Sequence, residues 1–322
     1  MKSLRELPTM IFRENDMENL KGTIFDVRRF ATHDGGGIRT TVFFKGCQLL
    51  CAWCHNPEGI STKRRALYFD KKCIHCGSCV KNSKCGGMTF QDEKIVLDHT
   101  KSEDWDELIQ ICPTGAIAWD SREIDVYKLF GEVMSDAPFF KYDGGVTLSG
   151  GEPLLQPDFA GQLLKLLQDR GIHTAIETAL LVPIENLKKV LPYLNHIFAD
   201  CKIFDESEHI RATKVSNKLI IQNLEYLLTS DKKRDVVIRT PMIPEYTATE
   251  KNVAEIAKFI SGIFPEVNYE ILNYNPLALA KYHLVGREFC FKENPKRFSK
   301  EQMNHFAEIA HSNGVRNVFI DE

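Results

Sequence analysis

Three thiols fall within eight residues, Cys47, Cys51 and Cys54, at C-x3-C-x2-C spacing. Structural zinc sites and cubane iron–sulfur clusters generally take four protein ligands, and this stretch supplies three. His55 follows at once and formally completes a Cys3His zinc set. Adjacent residues such as Cys54 and His55, however, reach one ion together only with strain. A [4Fe–4S] cube accounts better for the spacing: Cys47, Cys51 and Cys54 hold three irons, and the fourth is left for a ligand that is not protein.

A second cysteine group lies close behind. Cys73, Cys76 and Cys79 stand at C-x2-C-x2-C spacing, and Cys112 is followed by Pro113. This is how a bacterial ferredoxin motif opens and how it ends, the terminal Cys-Pro belonging in two-cluster ferredoxins to the other cluster. The companion C-x2-C-x2-C expected before Cys112 is absent; residues 105–111, WDELIQI, stand there instead. Cysteines for one complete cube remain, with Cys112 expected as fourth ligand and Cys85 as its rival. The Cys-Pro turn favours Cys112, while the spacing to Cys85 is stretched and has no proline. Zinc is a competing reading of this group. His75 and His99 are read as exposed polar residues rather than ligands.

Behind these motifs stands an ordinary globular composition of 322 residues, 43% hydrophobic and 26% charged, with a formal net charge of −3. Nothing in it points to nucleic acid, and no apolar run approaches membrane-spanning length. The first residues lack the long apolar core of a signal peptide. Of ten cysteines, eight lie between Cys47 and Cys112, a clustering that suits metal binding in a reducing compartment rather than a secreted disulfide scaffold. The expectation is a cytoplasmic protein.

From residue 144 onward, β-prone runs alternate with helical stripes. Strands are expected at 146–148, 173–176, 196–199, 236–238, 267–272 and 315–320, and helices at 156–170, 184–191, 217–228, 249–260 and 299–311. Repeated βα units imply a parallel α/β sheet, open or closed into a barrel. A first strand, 40–44, leads straight into Cys47. Residues 62–120 differ in texture, being cysteine-rich and short of helix-length periodicity, and read as a small module inserted after that first strand. The expected division is an N-terminal tail (1–22), the first part of the core (23–61), the insert (62–120) and the rest of the core (121–322).

The chain resembles the radical S-adenosylmethionine (SAM) superfamily and, more closely, the activating enzymes of glycyl radical enzymes. Residues 24–40 (IFDVRRFATHDGGGIRT), 54–58 (CHNPE), 147–153 (TLSGGEP), 200–202 (DCK), 239–244 (RTPMIP), 272–277 (LNYNPL) and 281–282 (KY) carry the likeness in order along most of the chain. The resemblance implies a partial (β/α)6 TIM-type barrel with a ferredoxin-like insert and two [4Fe–4S] clusters. It places SAM on the open iron of the Cys47, Cys51 and Cys54 cube. It also implies SAM contacts from Trp53, His55, Gly150, Gly151, Glu152, Glu177, Asp200, Lys202, Arg239 and Asn275, with Glu152 accepting from the methionine ammonium and Arg239 facing the carboxylate or ribose. Asp34, Gly35 and Arg39 would border the mouth where a partner peptide enters.

Five positions depart from the family pattern, Glu177 among them where the family often has aspartate. Gly36 replaces a proline, Leu50 a basic or polar residue, Cys201 a leucine and Asn275 a histidine that contacts SAM; Cys201 is expected to be a buried free thiol.

The activity implied is reductive cleavage of SAM and abstraction of hydrogen from a glycine of a partner glycyl radical enzyme, with flavodoxin or ferredoxin as reductant. Two other functions compete, a radical SAM catalyst for a small molecule and an iron–sulfur electron carrier without catalysis. The long match through residues 24–40 argues against the first. The three-ligand cube argues against the second, since a carrier would close its cube.

Overall fold

The computed structural model describes residues 20–32, 34–91, 94–141 and 143–321. The expected tail lies outside them as far as residue 19. Strand β1 (Lys21–Ala31) begins at Lys21, within the last residues of the expected tail. Gly22 pairs with Ile124 across the sheet, and a Cβ on it would lie 2.3 Å from the ring of Phe159, so this residue is packed into the core.

β1 runs antiparallel to β2 (Arg39–Phe44), every residue of which is buried. The chain then leaves for the insert: β3 (Ala66–Tyr68), α1 (Ser78–Asn82), β4 (Met88–Gln91), β5 (Lys94–Leu97), α2 (Trp105–Gln110) and β6 (Ile117–Trp119). β3 pairs with β6 and β4 with β5, both antiparallel. A small core of Ala66, Cys79, Met88, Ile95, Leu108 and Ile117 fills the space between them. Strand β7 (Arg122–Asp125) brings the chain back beside the start of β1, and Asp125 caps α3 (Val126–Met134) by accepting from the amides of Tyr127 and Lys128.

Regular βα units follow: β8 (Gly145–Gly150), α4 (Pro157–Gln168), β9 (His173–Thr178), α5 (Ile184–Val190), β10 (His196–Asp200), α6 (Glu206–Thr213) and α7 (Lys218–Thr229). After them come β11 (Val236–Pro241), α8 (Glu250–Ile263), β12 (Asn268–Leu272), α9 (Leu279–Leu284), α10 (Lys300–Ser312) and β13 (Asn317–Ile320). Among the described residues the main sheet has the order β13-β12-β11-β10-β9-β8-β2-β1-β7, parallel from β13 through β2 and antiparallel beyond. The fold is a partial TIM-type barrel whose sheet does not close.

Alternation along the strands decides what each face does. Val42, Phe44, Val146, Leu148, Ile176, Ile197, Ile238 and Ile271 bury one face under the helices, joining Leu163, Leu167, Leu224 and Ile256 in one apolar core. Their neighbours on the other face include Thr147, Glu177, Phe198, Arg239 and Glu270, a mostly polar set. That face is left for chemistry.

The insert is fastened where its two arms meet. The amide of Asp120 donates to the carbonyl of Arg65 (2.9 Å), and its carboxylate accepts from the Arg65 amide (3.1 Å) and the Ser121 hydroxyl (2.7 Å). Lys45, at the end of β2, completes the clamp by pairing with Asp120 at 2.5 Å, with side-chain exposures of 1% and 3%. A buried pair of this kind fixes geometry more than it stabilises, and losing one partner strands a charge. We expect Lys45→Met to cost about 3–5 kcal/mol and Lys45→Met/Asp120→Leu to recover most of it. Urea unfolding of the metal-free protein checks both, and equal losses in the two variants would contradict the clamp.

Candidate active site

The cysteine loop starts where β2 ends and is held by main-chain bonds on three sides. Gly46 donates to the carbonyl of Gly59 (2.7 Å), Cys47 to that of Ile60 (3.0 Å), and the Gly46 carbonyl accepts from the Glu152 amide (2.7 Å). On the far side, Leu50 and Ala52 donate to the carbonyls of Thr213 and Ala212 at the end of α6, and the Tyr282 hydroxyl donates to the Ala52 carbonyl (3.1 Å). Gly150 and Gly151 make the contact possible. A Cβ on Gly151 would lie 2.2 Å from the Gly46 oxygen, and one on Gly150 would lie 2.4 Å from the Phe44 nitrogen.

Cys47, Cys51 and Cys54 open onto one cleft of about 410 Å³. Its wall also includes Trp53, His55, Gly150, Gly151, Glu177, Asp200, Lys202, Arg239 and Asn275, which is every residue assigned to SAM except Glu152. Burial pushes the thiols up, Cys51 to about 12, so they are neutral at ordinary pH without metal. A metal group binding here must displace their protons. Among the described residues no three His, Cys, Asp or Glu side chains meet at single-ion spacing. A cube needs its thiolates apart, one on each of three irons.

Arg239 organises the floor. Its Nη1 donates to Glu177 (2.6 Å) and its Nε to Glu270 (2.5 Å), and its guanidinium lies 3.5 Å from the centre of the Phe198 ring. Glu177 also accepts from the Ser149 hydroxyl (2.5 Å). Burial holds the Glu177 carboxyl above its usual range, against the pull of Arg239. Lys202 is bonded to Asp200; burial opposes its charge, but Asp200 and Cys51 more than offset this and raise it. With Asp34, Glu177, Asp200 and Asp321 against Lys202 and Arg239, the cleft is acidic. That suits a ligand carrying a sulfonium and an ammonium.

Two of the expected site residues, Glu152 and Arg39, do not line either cavity. Glu152 is fully buried, and its carboxylate is engaged by the Thr178 hydroxyl and the amides of Leu154 and Ala179. Burial raises it to about 7. It ties the Gly-Gly turn to the end of β9 and does not reach the cleft. Arg39 is fully buried too. Its guanidinium donates to the Thr147 hydroxyl (2.7 Å) and the carbonyls of Val146 (2.8 Å) and Asp143 (2.9 Å), which fixes the sheet interior and keeps it from the mouth. Asp34 and Gly35 line the larger groove of about 1060 Å³ that adjoins the cleft.

Sequence reasoning missed Glu270 and Asp321. Strict alternation in Tyr269-Glu-Ile271 would have placed Glu270 on the inner face beside Arg239. Asp321 follows the last strand and carries no such signal.

In the insert, Cys73, Cys76, Cys79 and Cys112 line one small cavity and Cys85 does not. The Cys73 sulfur accepts from the His75 amide at 3.3 Å. Burial would raise the Cys112 thiol, but amides of Ile117, Thr114 and Ala116 outweigh it and bring it down. The Cys85 amide instead donates to Glu103 (2.8 Å).

Residues 41–260 match the Radical SAM superfamily. The chain belongs to it. An indoleacetate decarboxylase activating enzyme of Tractidigestivibacter scatoligenes is 37% identical over 94% of this chain and 98% of its own. An isethionate sulfite-lyase activating enzyme of Desulfovibrio desulfuricans is 36% identical over 83% and 88%. A 4-hydroxyphenylacetate decarboxylase activating enzyme of Clostridioides difficile is 32% identical over 94% and 96%. The protein is accordingly a radical SAM activating enzyme of a glycyl radical enzyme, a family that uses a [4Fe–4S] cluster and SAM. No helix among the described residues is long and apolar enough to cross a membrane.

Arg239→Lys keeps the charge but cannot bridge Glu177 and Glu270 through one planar fork. We expect SAM affinity of the reconstituted protein to fall by about tenfold, about 1.4 kcal/mol. Calorimetric titration with SAM checks it; unchanged affinity would remove Arg239 from the site.

Proposed function

We propose that Cys47, Cys51 and Cys54 hold the cluster that takes SAM on its open iron, and that Cys73, Cys76, Cys79 and Cys112 hold a second [4Fe–4S] cluster. The observation that carries the first assignment is the shared cleft: three thiols, the Gly150-Gly151 turn and an acidic wall face the same space. When bound, the cluster supplies one electron to the sulfonium of SAM, giving methionine and the 5′-deoxyadenosyl radical that takes hydrogen from the partner's glycine.

The chain's own residues bind, orient and shield. Glu177, Asp200 and Asp34 meet the positive groups of SAM, Arg239 its carboxylate or ribose, and Trp53 and His55 close the wall beside the cysteines. Asn275 offers a donor and an acceptor without titrating. The adjoining groove, with Asp34 and Gly35 on its border, receives the glycine-bearing segment of the partner. A flavodoxin or ferredoxin supplies electrons in the cytoplasm. The second assignment rests on the four-thiol cavity and on the amides aimed at Cys73 and Cys112.

Anaerobic reconstitution should give about eight irons per chain, roughly four per cube. Cys112→Ala should bring this to about four, and Cys85→Ala should leave it at about eight. Full iron in Cys112→Ala would transfer the fourth ligand to Cys85. After reduction and addition of SAM, 5′-deoxyadenosine should form, and with the partner enzyme present a glycine-centred EPR doublet should appear. Absence of 5′-deoxyadenosine would sink the cleft assignment.

A further inference from the structure

From Lys71 to Gln91 the chain carries four lysines and no carboxylate, in a protein whose net charge is −3. Lys84 is paired with Glu107 at 2.6 Å. Lys71, Lys72 and Lys81 are exposed and have no carboxylate partner among the described residues; Lys72 lies 4.9 Å from the centre of the Phe69 ring. Two of these lysines directly precede Cys73, and the third follows Cys79 on α1.

In the same segment two apolar side chains are exposed. Ile74 is 62% exposed and Phe90 43%. Ile74 lines the four-cysteine cavity, and the Phe90 ring lies within 3.6 Å of where a Cβ on Gly77 would stand. Cys76, between them, is itself exposed, whereas Cys51 in the main cleft is buried. Exposed apolar side chains beside lysines that lack a carboxylate partner mark an interaction surface. One-electron transfer between proteins uses small contacts that form and separate quickly, with opposite charges steering the encounter.

We propose that this face of the insert docks an acidic one-electron carrier protein, with Ile74 and Phe90 at the contact centre and Lys71, Lys72 and Lys81 steering approach. Electrons then enter the chain at the insert rather than at the mouth of the cleft. The inference rests on reading Cys73, Cys76, Cys79 and Cys112 as cluster ligands, which the iron content tests separately.

The test uses holoenzyme carrying Lys71→Gln, Lys72→Gln and Lys81→Gln together, with reduced flavodoxin as the acidic probe. Flavodoxin affinity should fall by about tenfold, and the wild-type affinity should weaken steeply as ionic strength rises from about 0.05 to about 0.3 M. Iron content, and the rate of 5′-deoxyadenosine formation driven by dithionite, should match wild type. Affinity within about twofold of wild type would overturn the proposal. So would an equal fall with dithionite, or a loss of binding to the glycyl radical enzyme in place of flavodoxin. If wild type holds only about four irons, the cluster reading fails, and a tenfold affinity loss would still establish the docking face.

Discussion

The cysteine loop is held through the main chain at Gly46, whose amide donates to Gly59 and whose carbonyl accepts from Glu152. Because these bonds use backbone atoms, the loop's path does not depend on the thiols it carries. Gly151 has to be glycine for the turn after β8 to come this close, and the Glu152 carboxylate then ties that turn to Thr178 and Ala179. Three strand ends, β2, β8 and β9, are thus bound around one point, with the thiols on the cleft side of it.

The two groups of thiols differ in part: Cys79 of the insert is buried and raised like the cleft thiols, while others of its group are not. In the cleft, burial raises the thiols of Cys47, Cys51 and Cys54, and the surrounding carboxylates favour a cationic ligand. In the insert, Cys76 and Cys112 have their thiols brought down by neighbouring donors, the Ser78 hydroxyl and amide for Cys76, and Cys76 stands at the surface. One environment excludes solvent from radical chemistry. The other brings one thiol, Cys76, to the surface.

Most of the βα series was legible from the sequence, because apolar periodicity in α4, α7, α8 and α10 reports directly on the face each buries. Cysteine spacing likewise marked both thiol groups, since ligand geometry constrains spacing locally. What stayed hidden depends on contacts far apart in sequence. Glu152 and Arg39 look like ligand-binding groups by residue type, yet each serves the scaffold once its partners at 178–179 and 143–147 are in place. Lys45 gave no signal either, its meaning residing in Asp120, 75 residues on. β1 was missed because its polar residues, such as Asp26, Arg28 and Arg29, blur the alternation of a strand near the sheet edge.

The insert leaves and re-enters the barrel through arms that touch, Arg65 and Asp120 being hydrogen-bonded backbone to backbone. Seen from the barrel, everything between them amounts to one long turn. A segment attached this way can be lengthened, exchanged or lost over evolution without shifting the register of β2 against β8, which lies wholly on the barrel side of the junction. The radical-forming core and its accessory module can therefore diversify at different speeds within a single chain.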